Sequence, residues 1–315
     1  MGQLIDGEWQ PGQTFARETG EFVRQSSRFR DRISADGGSG FQAQAGRYHL
    51  YLARACPWCH RTLIFRALKR LEDIIPVSYV EPLMLEQGWT FAEPDPLTGA
   101  RRIYELYQRS HPHYTGRATV PVLWDKLSCR IVSNESSDII RMFNCAFDAL
   151  TRERTDYYPQ ALAAEINEVN SRIYETVNNG VYRAGFATSQ AAYESAIGSL
   201  FASLAWLEER LTRRRYLLGD AVTEADWRLF PTLVRFDAVY YGHFKCNLRH
   251  IYEHPALWGY TRELYQMPGI AATVAIDECK THYYGSHRNI NPTGIVPLGP
   301  MLDFTAPHGR ESIGG

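Results

Sequence analysis

The sequence predicts an α/β domain followed by an all-helical one. Residues 47–147 read strand, helix, strand, long loop, hairpin, helix. Beyond about residue 160 the period-two signal of strands disappears and helical spacing takes over. Between the first strand and the first helix stands Cys56-Pro57, with proline where a helix tolerates it best, at its first position.

Residues 1–46 alternate charges with Gly and Ser and show little periodicity, so they are expected to form an extended arm with at most short helix. In RYHLYLA, Tyr48, Leu50 and Leu52 share one face, the pattern of a half-buried strand. After Pro57, Leu63, Ile64, Ala67, Leu68 and Leu71 recur at helical spacing. PVSYVEP (76–82) reads as a second strand. A long polar and aromatic insert follows, of a length that usually carries function or an order of its own. VPVLWD (120–125) and CRIVS (129–133) form a hairpin pattern, and SSDIIRMFN turns helical. Candidate helices then cover 160–177, 189–212, 224–240, 255–266 and 269–279. Thr223 and Asp226 come close to a capping box at the start of the third of these. The last 35 residues, rich in Gly and Pro, read as a tail over the surface.

Composition narrows the function. The 315 residues carry 34 Lys+Arg against 35 Asp+Glu, a formal charge of -1. That balance removes the simplest electrostatic case for nucleic acid or an anionic membrane as partner. No apolar run reaches the roughly 18 residues of a spanning helix. The start, MGQLIDGEWQPGQ, lacks the layout of a signal peptide, so the expected location is cytoplasmic. Six cysteines are too sparse for a disulfide scaffold at this length. A zinc site would need a second ligand pair, which Cys129, Cys145, His111 and His113 do not supply at standard spacing; no metal is expected.

Cys56 and Cys59 form the one recognisable cysteine spacing, C-x-x-C. A thiol at a helix N-terminus faces backbone N–H groups without intrahelical partners and the positive end of the helix dipole. Both favour thiolate, the nucleophilic form. Cys56 is therefore the candidate nucleophile. Cys59, one turn further on, is either a resolving thiol or a packing residue. Glu135-Ser136 opens another helix, where Ser136 and the terminal N–H groups suit a carboxylate and Glu135 an ammonium. Simple capping by Ser133, Asn134 or Ser136 explains the same residues equally well.

The segments RYHLYLARACPWCHRTLI, GW, GRATVPVLWD, SNESSDIIRMFN, GVYRAGFA and HYYGSH, in this order, resemble the glutathionyl-hydroquinone reductases, the Xi-class relatives of omega glutathione transferases. The resemblance covers most of the chain. It implies a glutathione transferase architecture, with a thioredoxin-like α/β N-terminal domain (47–147), an all-α domain (148–280), a tail (281–315) and a homodimer. It implies glutathione as co-substrate with no bound cofactor, and aromatic hydroquinone conjugates as partners. A cis proline would follow Val120, whose backbone pairs with the ligand. Trp89 and Arg117 resemble the remaining glutathione contacts, beside Val120, Glu135 and Ser136. Tyr182, Tyr240 and Tyr283 match positions lining the electrophile pocket, with Tyr182 as proton donor and the other two stabilising the thiolate. The expected reaction is attack of Cys56 on a glutathionyl-hydroquinone to give a Cys56–glutathione mixed disulfide, resolved by a second glutathione. One departure stands out: the family motif usually reads CPWAHR, and Cys59 occupies the Ala position. The alternatives are an omega-like thiol transferase or dehydroascorbate reductase, a thioredoxin-like dithiol oxidoreductase, and a non-catalytic module of the same fold.

Overall fold

A computed structural model describes residues 2–12 and 19–313. Residue 1, residues 13–18 of the expected arm and the last two residues of the tail lie outside the described residues. The chain divides into two units: Met1–Thr14 with Gln25–Thr155, and Phe15–Arg24 with Asp156–Gly315.

The first unit is built on a four-stranded sheet of β5 (Tyr48–Leu52), β6 (Val77–Tyr79), β7 (Val122–Asp125) and β8 (Arg130–Ser133), in the order β6-β5-β7-β8. β5 runs parallel to β6, with Leu50 opposite Val77, and antiparallel to β7, with Leu50 opposite Leu123. The parallel pair requires a crossover, which α1 (Pro57–Leu68) supplies. The hairpin read at 120–133 forms, with an irregularity between Leu123 and Trp124.

β5 departs from its half-buried reading: all five residues are buried. The reason lies in the insert. Tyr51 donates to Asp95 at 2.9 Å, and Ser78, which pairs with His49 at 2.9 Å, donates to the other Asp95 oxygen at 3.0 Å. Burial alone would raise the Asp95 carboxyl, but hydrogen bonds from Thr98, Tyr51 and Ser78 hold it below its ordinary value. The second face of the strand is thus closed by a satisfied polar network rather than left to solvent. The insert also contains α2 (Ile103–Ser110).

The described residues of the arm are extended, as read, and form short strands. β1 (Gly2–Ile5) and β2 (Glu8–Pro11) make a hairpin, and Leu4 exchanges backbone hydrogen bonds with Gly116. β3 (Ile33–Ser34) pairs with β4 (Phe41–Gln42), and residues 29–31 lie along β8 through bonds between Asp31 and Val132 and between Asn134 and Phe29. α3 (Ser136–Cys145) packs on α1, and α4 (Asp148–Thr151) ends the unit's helices.

The second unit contains α5 (Ala163–Ile173), α6 (Gly180–Gly185), α7 (Gln190–Arg213), α8 (Glu224–Arg235), α9 (Tyr241–His243), α10 (Pro255–Gln266) and α11 (Ile276–Ser286). Two π turns, Tyr174–Asn178 and Phe236–Tyr240, continue α5 and α8. The box at the start of α8 forms as read, with Asp226 accepting from the Thr223 N–H at 2.8 Å and its hydroxyl at 3.0 Å. The helix expected at 269–279 instead begins at Ile276, after a 3-10 turn (Ala271–Thr273), and runs on to Ser286. Gly269, at φ +83, and the short turn delay its start. The buried side chains of Cys279, His282 and Tyr283 carry it beyond its expected end. Among the described residues no helix is long and apolar enough to cross a membrane, and no group of His, Cys, Asp or Glu suits a metal ion.

Candidate active site

Cys56 is the N-cap of α1, with extended backbone (φ -76, ψ 123) and Pro57 behind it. Its carbonyl accepts the first helical hydrogen bond from His60 at 3.0 Å. The thiol sits at the helix end, 8% exposed, and donates to the Val120 carbonyl at 3.7 Å. Cys59 lies one turn on and is fully buried, and neither cysteine forms a disulfide. The Val120–Pro121 peptide bond is cis.

Tyr107 on α2 holds the loop that carries Val120. Its hydroxyl donates to the Thr119 carbonyl at 2.8 Å and accepts from the Thr119 N–H at 3.0 Å and the Asn134 amide at 3.0 Å.

At α3 the cap is neither Ser133, Asn134 nor Ser136: Glu135 takes that position and accepts from the Ser137 N–H at 3.1 Å and hydroxyl at 2.9 Å. Ser27 of the arm donates to its other oxygen at 2.9 Å. Burial alone would raise the Glu135 carboxyl. The bonds from Ser137 and Ser27, with the charge of Arg61, outweigh that and hold it below its ordinary value. Ser136 is buried, and its hydroxyl accepts from the Arg61 guanidinium of α1 at 3.5 Å. An N-terminus with a hydroxyl, a fixed carboxylate and a buried guanidinium offers complementary partners to a zwitterionic amino acid end. Trp89 is buried in the loop between β6 and α2, its carbonyl accepting from the Ile103 N–H at 3.0 Å. Arg117 is half-buried three residues before Val120, and its carbonyl accepts from the Tyr114 hydroxyl at 3.3 Å.

The three tyrosines meet in the second unit. Tyr283 of α11 lies between the other two, its hydroxyl 2.5 Å from that of Tyr182 on α6 and 3.1 Å from that of Tyr240 on the π turn. Their neighbours fare differently: Tyr241 stacks on His250 and Tyr284 packs edge-on against His243. Burial, together with the neighbouring phenols, pushes Tyr240 and Tyr283 well above the ordinary phenol value, so both keep their protons near neutral pH. Three hydroxyls joined by two hydrogen bonds commit two of their three protons. The direction of the line decides which hydroxyl carries the third. Phe186 and Phe244 pack on Tyr182 at 6.3 and 5.4 Å. His243 and His287 pair at 3.1 Å; burial and neighbouring charges push His243 down to about 4 and His287 well below its ordinary value.

Known proteins are similar to this chain along its whole length. The profile of the glutathione S-transferase N-terminal domain matches residues 55–145, and that of the C-terminal domain matches 190–263. Glutathionyl-hydroquinone reductase YqjG from Escherichia coli is 55% identical over 324 aligned positions, 99% of each chain. Its glutathione-bound structure superposes with a TM-score of 0.91 over 99% of each chain at 53% identity. Glutathionyl-hydroquinone reductase PcpF from Sphingobium chlorophenolicum is 53% identical, covering 95% of this chain and 96% of its own. The chain belongs to the Xi-class glutathione transferases, the family of the glutathionyl-hydroquinone reductases. A Xi-class enzyme from Natrialba magadii superposes at a TM-score of 0.94 with 47% identity, covering 100% of this chain and 98% of its own.

Within this Xi-class chain, several residues around the site escaped sequence reasoning. Arg61 had a signal, a charged residue on the helix face shared with Ile64 and Leu68. Tyr107 had none among nineteen tyrosines. Ser27, Phe22 and Arg24 lie in an arm without periodicity, where nothing in the pattern separates a contact from a linker.

Proposed function

We propose that the protein reduces glutathionyl-hydroquinones to hydroquinones with glutathione as co-substrate. The observation that carries this reading is the conjunction, in one chain, of a thiol at a helix N-terminus with a buried line of three hydrogen-bonded phenols. Near-full-length identity to enzymes of that name supports it.

In the proposed reaction the Cys56 thiolate attacks the glutathionyl sulfur. A Cys56–glutathione disulfide forms as the carbon–sulfur bond breaks, and the electron pair leaves with the aryl carbon. That carbon takes a proton from Tyr182, acting as general acid, and the hydroquinone departs. A second glutathione, as thiolate, attacks the mixed disulfide and releases glutathione disulfide and free Cys56. The γ-glutamyl end rests on Glu135 and Ser136, with Arg117, Trp89 and the Val120 backbone completing the glutathione contacts.

When the line runs toward Tyr182, Tyr240 and Tyr283 donate along it and prepare that donor. The opposite direction lets Tyr240 donate to sulfur, and acceptance by Tyr283 from both neighbours lets Tyr283 do so, the thiolate-stabilising role. The two roles belong to successive states, since only one proton is available at a time.

The test is incubation with a glutathionyl-hydroquinone and excess glutathione, following quinol release and intact-protein mass. A glutathione adduct that disappears in Cys56→Ser, together with loss of turnover, is expected. Full turnover by Cys56→Ser overturns the reading. Unchanged turnover by Cys59→Ala assigns Cys59 to packing, whereas accumulation of the adduct in that variant makes it the resolving thiol. A homodimeric, cytoplasmic enzyme completes the proposal, and sedimentation of the purified protein with fractionation of cells checks it.

A further inference from the structure

The arm reaches the tyrosine cluster within the second unit. Thr188 donates its N–H to the Gly20 carbonyl at 3.0 Å, and the Ser189 hydroxyl donates to the Thr19 carbonyl at 3.0 Å. Gly20, at φ +81, lies so close to Ser189 that a Cβ would stand 2.6 Å from its hydroxyl oxygen. These contacts bring Phe22 and Arg24 onto α6. Phe22 is buried, stacking on Tyr182 at 6.4 Å and packing on Phe186 at 5.4 Å. The Arg24 guanidinium lies 4.7 Å from the Tyr182 ring centroid, over its face, and 5.3 Å from that of Phe22. Its Nε donates to Asn179 Oδ1 at 2.9 Å, and Asn179 directly precedes α6, which carries Tyr182. The cation is therefore fixed to the same element as the ring.

We infer that Arg24 is a positioning residue for proton donation, holding the Tyr182 ring from its face and favouring the phenolate left when the proton departs. This rests on Tyr182 being the proton donor. A guanidinium over a neutral phenol gains the attraction of the ring quadrupole. Over a phenolate it faces a formal negative charge, so it stabilises the state after proton transfer more than the state before, and that difference accelerates the step. From the ring face Arg24 leaves the hydroxyl to Tyr283.

Tyr240 and Tyr283 are phenols whose burial keeps them neutral, and Cys279 and Arg235 act on Tyr240. Behind Phe244 and Tyr283, burial keeps His243 and His287 uncharged near neutral pH, while His282 packs on Tyr283 and pairs with the Ser286 hydroxyl. Arg183 follows Tyr182 on α6, and Glu21 and Arg24 flank Phe22 and Val23 on the arm.

The experiment measures quinol release in single turnovers from about pH 6 to pH 10, a range that spans the ordinary phenol value. It compares Arg24→Gln, Arg24→Lys, Asn179→Ala and Tyr182→Phe, with thermal melting to confirm folding. Arg24→Gln is expected to slow release about tenfold with little change in KM, since a desolvated cation–π contact is of that order. Without the cation the phenol holds its proton more tightly, so the alkaline loss of activity should move to higher pH. Arg24→Lys should restore part of the rate, and Asn179→Ala, which frees the guanidinium, should fall between. If Tyr182→Phe slows release while folded Arg24→Gln and Asn179→Ala match the parent in rate and alkaline limb, the role of Arg24 is wrong and that of Tyr182 stands. Unchanged release by Tyr182→Phe overturns both. Should Arg24→Gln fail to fold, Arg24→Lys and Asn179→Ala decide the matter by the same two readouts.

Discussion

At the level of single residues, Glu135 shows how a carboxylate stays charged where it is buried. Desolvation opposes its charge, and donors from Ser137 and Ser27 with the field of Arg61 overcome it, leaving its titration below the ordinary 4.5. A group held low in this way is ionised at all pH values above its ordinary titration, and its contribution is lost only as pH falls through the lowered value. Glutathione affinity, measured by calorimetry, should therefore stay level between about pH 7 and pH 5. A tenfold loss centred above pH 5 would contradict the assignment. Glu135→Gln removes a charge-assisted bond of about 1.5–3 kcal/mol, so affinity should fall tenfold or more. Sequence made Glu135 and Ser136 visible through their place before a helical run but left capping open. The answer, Glu135 as cap with Ser27 on its second oxygen, depends on a contact across 108 residues that no local pattern encodes. Cys56 was legible for the opposite reason: thiol, proline and helix are adjacent in the chain.

At the level of elements, long periodic helices were read closely. α7 and α10 match their expected spans because spacing and punctuation agree, with Pro255 opening α10 and Ser189 capping α7. The π turns after α5 and α8 were invisible, since an extra residue in one turn leaves the apolar spacing nearly unchanged. Yet the second turn carries Tyr240 into contact with Tyr283. The end of α6 bears on the same cluster. Gly185 has no Cβ, and one placed there would overlap the ring of Phe244, which stacks on Tyr240 at 5.7 Å. Gly185→Ala must push Phe244 away or shift α6. Overpacking of this kind costs about 1–3 kcal/mol. Chemical denaturation should show that loss, with quinol release slowed in the protein that remains folded. A variant as stable and as active as the parent would show that the close approach is not required.

Across the whole molecule the two ends of the chain were the least legible parts, because extended segments gain their energy from distant partners rather than from periodicity. The arm reads only as an extended segment without periodicity, yet Ser27 serves α3 in one unit and Phe22 and Arg24 serve α6 in the other. The tail reads as a surface strap, yet Arg310 is only 2% exposed. Its guanidinium donates to Glu263 at 3.1 Å and to the carbonyls of Leu211, Ala256, Arg214 and Arg215 at 2.6–3.3 Å, binding the tail to the ends of α7 and α10. Gly259 makes room for it, since a Cβ there would stand 2.7 Å from the His308 carbonyl and 3.1 Å from Arg310 Cδ. Arg310→Ala leaves four carbonyls short of a donor and removes one of the two guanidiniums on Glu263, the other being Arg215 at 2.6 Å. Breaking a buried pair costs about 3–5 kcal/mol, and the retained Arg215 places this case near 3. For a unit of this size that lowers the melting midpoint by roughly 6–12 °C. Arg310→Lys should recover little, because an ammonium cannot serve five acceptors spread around a planar fork. Calorimetry of the two variants decides the point: a midpoint within a degree of the parent for Arg310→Ala, or full recovery by lysine, would show that the tail is held by Phe304, packed on Trp258 and Tyr265, rather than by the buried guanidinium.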